Sequence, residues 1–187
     1  MSTCIACGAP GATVELLPSF DDDGLGLPIT IKNAVIRHRC AACEMDGVEV
    51  PDSAGLEAAA AVARIMLPVA LSGPEIRFLR KACGMTGRDF AAALGVDNAT
   101  LSRWEKPVSW GEGHGEVSDR NIREVVWSCL CERTPAIQVP PAHFLRMKAG
   151  RLPEGGRLPR LVLERVRLKD PIRRTKTDEW DLSDLAA

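Results

Sequence analysis

Tyrosine is absent from this sequence, and phenylalanine and tryptophan supply four residues each. So few rings argue against the stacked aromatic platforms that hold single-stranded nucleic acid. The three histidines are widely dispersed, which leaves little for general-base chemistry. No phosphate-binding glycine loop occurs, and no Ser/His/Asp or Cys/His set is arranged for catalysis, so an enzyme is not expected. Nothing approaches the run of about 18 apolar residues that a membrane span needs. The first ten residues, MSTCIACGAP, lack the basic start and apolar stretch of a secretory signal, and a cytoplasmic protein is expected. In that compartment paired cysteines point to metal rather than to disulfides.

What the chain does have is charge sorted by position. Its 187 residues sum to a net charge of −1. Residues 1–52 nevertheless carry 3 Lys/Arg against 8 Asp/Glu, and residues 134–176 carry 11 against 3. An acidic front and a basic rear suggest partners of opposite charge.

The front contains two C-x-x-C pairs, Cys4/Cys7 and Cys40/Cys43, separated by 32 residues. Each pair forms a knuckle whose thiolates can converge on one tetrahedral Zn²⁺. Four thiolates close the shell, so one structural ion per chain is expected, with no position left for an activated water. A thiol switch is the competing reading, and His38 is expected at the surface or beside the ligands. Ala12–Leu17 and Ile29–Arg39 read as strands, Asp21–Gly24 as an exposed turn, and Glu44–Asp52 as a further strand running into a linker. Ser53–Leu67 is an alanine-rich helix with Leu56, Ala60, Ala63 and Leu67 on one stripe. It ends at Pro68 and reads as a connector.

Residues 71–106 carry the strongest local signals. Ser72 and Glu75 form a capping box; Ile76, Leu79 and Cys83 share a face, and Gly84 ends the helix. Thr86 caps a second helix with Phe90, Ala91 and Leu94 inward. Gly95 supplies a turn, and Asp97 caps a third helix that sends Leu101 and Trp104 inward. Helix, glycine turn, helix is the arrangement that lays its second helix in a major groove. Asn98, Ala99, Thr100, Ser102, Arg103 and Lys106 are then left facing outward. Asn reads adenine, Arg reads guanine, and the Ala and Thr methyls suit the thymine methyl. Ser102 and Lys106 suit phosphates.

This stretch resembles the Xre/Cro-type helix-turn-helix family, through Thr86, Ala91, Leu94-Gly95-Val96 and Ser102-Arg103-Trp104-Glu105. That family often has Gln where this chain has Gly87. With the cysteine head in front, residues from Cys4 to about Arg133 resemble the MqsA-type antitoxins, which carry a YgiT-type zinc finger. The resemblance implies a zinc head that contacts a basic ribonuclease toxin, and a homodimeric rear domain that represses its own operon. Cys4, Cys7, Cys40 and Cys43 match the family's ligand positions and Arg103 its base-reading arginine. Its base-reading Asn falls at Ala99, one residue from Asn98.

After Lys106 a glycine-rich loop is expected, with Trp110 folding back and His114 exposed. Ser118 is expected to cap a helix with Ile122, Val125, Val126 and Cys129 inward, and in Xre-type folds this helix often forms the two-fold interface, here with Trp127 or Leu130. Cys83, Cys129 and Cys131 read as small core residues. Thr134–Pro159 is broken by prolines, Leu161–Leu168 fits strand and helix equally, and the tail is acidic. The rear is read as a phosphate-gripping arm, as a segment that folds on a partner, or as a solvated tail.

The expected architecture is α+β. A zinc-ribbon-like β head (1–52) and a linker helix (53–71) precede an all-α helix-turn-helix domain (72–133) and a basic extension with an acidic tail (134–187). The expected function is repression through duplex DNA, with a toxin partner and no membrane. The alternatives are a free-standing zinc-ribbon regulator without a toxin, and a zinc-ribbon protein that binds RNA.

Overall fold

The structure is a computed structural model that describes residues 2–107, 114–140, 142–152, 156–169 and 176–182. Trp110 and the last five residues of the acidic tail lie outside the described residues.

Six strands open the chain: β1 (Ser2–Thr3), β2 (Pro10–Leu16), β3 (Ser19–Asp22), β4 (Ile29–Lys32), β5 (Ile36–Cys40) and β6 (Met45–Glu49). They divide between two sheets. One, in the order β1-β2-β5-β6, carries the cysteine pairs and is antiparallel throughout. Its small core consists of Cys4, Ala12 and Cys40, with Ala9 and Met45 against them. The stretch Ile29–Arg39, read from sequence as one strand, is two strands in different sheets. Asn33 breaks it, with φ 55°, and its amide donates to the Pro18 carbonyl. Asn and Asp tolerate this left-handed conformation better than other side chains do.

β3 and β4 join the second sheet with two strands from the far end of the chain, β7 (Leu161–Lys169) and β8 (Lys176–Leu182), in the order β3-β4-β7-β8. β4 and β7 run parallel, with Ile29 opposite Leu161 and Ile31 opposite Leu163. All four of these side chains are fully buried. The rear of the chain thus returns to complete a sheet begun in the front, and Leu161–Leu168 is strand.

The helix α1 (Ser53–Met66) lies against this sheet. Asp52 caps it by accepting from the Gly55 amide, and its other carboxylate oxygen accepts from Trp180 Nε1 at 3.0 Å. Rather than one buried stripe, every residue from Ala58 to Ile65 is buried. A helix covered all round is interior. α1 packs on β7 and β8 at one side and on two further helices, α2 (Gly73–Ala82) and α5 (Glu116–Leu130), at the other. The connector read from sequence is therefore the central element of one continuous core that runs from Leu27 through α1 to Val126 and Trp180. Its alanines allow the close approach, because each side chain adds only a methyl group between backbones.

Two arginines are buried at this junction, and every guanidinium nitrogen of each finds an acceptor. Arg64 meets Glu75 and the carbonyls of Val69 and Ala70. Arg123 meets Asp119 and the carbonyls of Ile65, Leu67 and Val69. Together they take up the carbonyls of Ile65, Leu67, Val69 and Ala70 where the chain leaves α1, as buried backbone acceptors require.

Candidate nucleic-acid interface and metal centre

α2, α3 (Gly87–Leu94) and α4 (Asn98–Trp104) follow the local sequence signals closely. The Ser72 amide donates to Glu75 at 2.7 Å, the Asp89 amide to Thr86 Oγ1 at 3.2 Å, and the Thr100 amide to Asp97 Oδ1 at 2.8 Å. Gly95 takes φ 69° between α3 and α4, a conformation that costs a residue with a Cβ more.

α4 is held from three directions. Leu101 is buried in the core, the Trp104 ring lies 5.9 Å from His114, and the cap residue Glu105 is gripped by Arg77 and Arg80 of α2. Asn121 of α5 donates to the Leu94 carbonyl at 3.1 Å, tying α5 to the end of α3. Asn98, Ala99, Ser102, Arg103 and Lys106 stand exposed. Thr100 is half-buried and its hydroxyl is engaged within the helix. It donates to Asp97 Oδ2 and accepts from Arg103 Nη2, both at 2.8 Å. Its hydroxyl thereby orients the Arg103 guanidinium. The Thr100 hydroxyl, the Thr100 and Ala99 amides and the charge of nearby Arg103 hold the Asp97 carboxyl below its usual range.

Sequence reasoning missed Glu105, Arg80 and His114 as parts of this frame. His114, expected to be exposed, is buried, because its ring is clamped between Trp104 and Asp119. α5 starts at Glu116 with Gly115 as its N-cap, rather than at Ser118.

In the head, the four thiols of Cys4, Cys7, Cys40 and Cys43 all lie within 4.8 Å of one another. The Cys4–Cys43 and Cys7–Cys40 sulfur separations are 3.7 and 3.8 Å. A tetrahedron with metal–sulfur bonds of about 2.3 Å has edges of about 3.8 Å, whereas a disulfide needs about 2.05 Å. The donor set therefore fits a thiophilic tetrahedral ion such as zinc. Gly8 (φ 74°) and Glu44 (φ 57°) each follow the second cysteine of a pair in left-handed conformation, so the two knuckles turn alike. Amides of Cys7 and Ala6 directed at Cys4 draw its thiol down to about 6. Cys43 is pushed up to about 12. The Met45 amide favours its thiolate, but the neighbouring thiols and burial outweigh that amide.

The remaining cysteines are half-buried. Cys129 donates to the Cys83 carbonyl at 3.5 Å, and burial beside Cys129 pushes the Cys83 thiol up to about 12. Such thiols serve packing rather than nucleophilic chemistry.

No described helix is long and apolar enough to cross a membrane. No curated protein and no solved structure matches the chain. A family model described as helix-turn-helix matches residues 76–106, from within α2 to just past α4. The chain thus combines a helix-turn-helix domain, which points to a DNA-binding regulator, with an N-terminal four-cysteine cluster able to hold a metal ion.

Proposed function

We propose that this protein is a sequence-specific transcriptional repressor whose α4 enters the major groove of a duplex operator. The observation that carries the reading is the exposed row Asn98, Ala99, Ser102, Arg103 and Lys106 on a helix anchored by buried Leu101. Arg103 and Asn98 read base edges, Ala99 and Thr100 offer methyl groups, and Ser102 and Lys106 hold phosphates. The protein acts as a homodimer, so its two recognition helices meet half-sites about 34 Å apart.

We further infer that it is the antitoxin of a toxin–antitoxin pair and that one Zn²⁺, held by Cys4, Cys7, Cys40 and Cys43, braces a head that docks a basic ribonuclease toxin. Two features support a protein partner there. The head exposes Ile5, Val14, Leu16 and Val48, and residues 1–52 carry 8 acidic against 3 basic side chains. Val14 and Leu16, alternate residues of β2, share one face of the cysteine-bearing sheet, and neighbouring exposed apolar side chains mark interaction surfaces.

The test is selection of duplexes from a randomised pool by the purified chain, followed by binding of the Arg103→Ala variant. A loss of about 1–3 kcal/mol confined to one base pair per half-site is expected. Equal affinity for selected and random duplexes overturns the reading. The toxin arm is tested by co-purification with the product of the neighbouring gene.

A further inference from the structure

The basic rear of the chain comes back to the helix-turn-helix at one defined point. Gly150 lies beside the connector that precedes α2; its amide donates to the Pro68 carbonyl at 3.0 Å, and its carbonyl accepts from Ala70 at 2.8 Å. This pins Lys148 and Arg151, both exposed, next to the start of α5. Arg151, Ala70, His114 and Glu116 line the same depression of about 230 Å³. His114 in turn lies against Trp104 of α4. Ala70 leads in three residues to Gly73, which packs on the Lys106 carbonyl at the end of α4. Lys106 and the segment 148–151 thus both border the short path 70–73 that leads into α2.

The acids near this path are already engaged. Asp119 is held by Arg123, and Glu116 pairs with Arg120 at 3.0 Å. Among the described residues neither Lys148 nor Arg151 pairs with a carboxylate. Exposed cations without partners beside a groove-binding helix suit a phosphate backbone, which carries one charge per about 1.7 Å of duplex.

We propose that Lys148 and Arg151 form a phosphate-gripping arm that holds the backbone of the same duplex whose groove α4 enters. The inference rests on the DNA-binding reading and extends it to a segment outside the helix-turn-helix match.

The experiment measures the affinity of full-length wild type, Lys148→Ala/Arg151→Ala and Arg151→Lys for a selected duplex and a scrambled one across a salt series. The double variant removes four cations from a bound dimer, so it should flatten the log–log salt slope by about 4, weaken both duplexes alike, and keep the unfolding midpoint. Arg151→Lys should retain the wild-type slope. An unchanged slope in the double variant overturns the arm while leaving the DNA-binding reading intact. Loss of discrimination between the two duplexes overturns a backbone role, since phosphate contacts carry no sequence information. Failure of wild type to bind any duplex overturns the arm together with the reading beneath it.

Discussion

Arg80 grips Glu105 with two donors, Nε to Oε1 at 2.6 Å and Nη2 to Oε2 at 3.1 Å, and so locks the end of α4 to the last turn of α2. The carboxylate holds the Arg80 guanidinium above its usual range, and both side chains are largely buried. Glu105→Ala removes the clamp and leaves Arg80 without a counterion. A loss of stability on the order of 2 kcal/mol is expected in chemical denaturation. Duplex affinity should fall with it, because α4 is then free to tilt. Glu105→Gln, which keeps one acceptor, should fall between.

Gly73 and Gly87 make an informative pair. A Cβ at Gly73 would overlap the Lys106 carbonyl oxygen and lie 2.7 Å from that of Trp104, both rigid backbone. Gly73→Ala must push α2 away from α4, and an overpacking cost of about 1–3 kcal/mol is expected in the unfolding midpoint. A Cβ at Gly87 meets only Asn98 Oδ1, at 3.2 Å. Gly87→Ala should therefore leave stability nearly unchanged while turning the Asn98 side chain. The readout is base preference at the position proposed for Asn98, determined by repeating the duplex selection.

These contrasts show what a sequence can and cannot disclose. Thr86, Gly95 and Asp97 announced their helices because a cap or a left-handed turn is settled within a few residues. The cysteine cluster was legible because C-x-x-C spacing is itself geometric. The partnership of Ile31 with Leu163 was not, since a parallel pair joins segments at opposite ends of the chain with no local signature. Nor was the centrality of α1. Alanine on every face reads as a neutral surface until sheet and helices are seen to close on it. His114, set between glycines, looked solvated because nothing nearby revealed that Trp104 and Asp119 would enclose it.

Asp119 carries the acid sensitivity of the junction. Burial alone would raise its pKa, but His114, Arg123 and the Leu71 amide outweigh that and hold it at about 2. The ordinary value is 3.8, so the native state favours the ionised form. Its contribution is fully present above about pH 4 and is lost as pH falls through about 2. A shift of this size corresponds to on the order of 2 kcal/mol. Asp119→Asn should cost more at neutral pH, about 3–5 kcal/mol, because Arg123 is then a buried charge without its partner. It should also flatten the acid limb of the stability–pH curve. Urea titrations between pH 2 and 7 measure both effects, and an acid limb of unchanged steepness in Asp119→Asn removes Asp119 as its cause.

Metal removal should divide the molecule along its two cores. The cysteine-bearing sheet has only Cys4, Ala12 and Cys40 buried at its centre, far too little apolar area to offset the entropy of ordering it. β3 and β4 belong instead to the large core, through Ile29 and Ile31. Exhaustive chelation, or Cys40→Ser, is expected to release β1, β2, β5 and β6 while β3, β4 and the helices stay folded. Hydrogen exchange resolved by segment distinguishes this from global unfolding. Protection should vanish over Pro10–Leu16 and Ile36–Glu49 and persist over Ile29–Lys32 and α1. Undiminished protection in the cysteine-bearing sheet after metal removal would show that its four thiols do not need an ion to hold it.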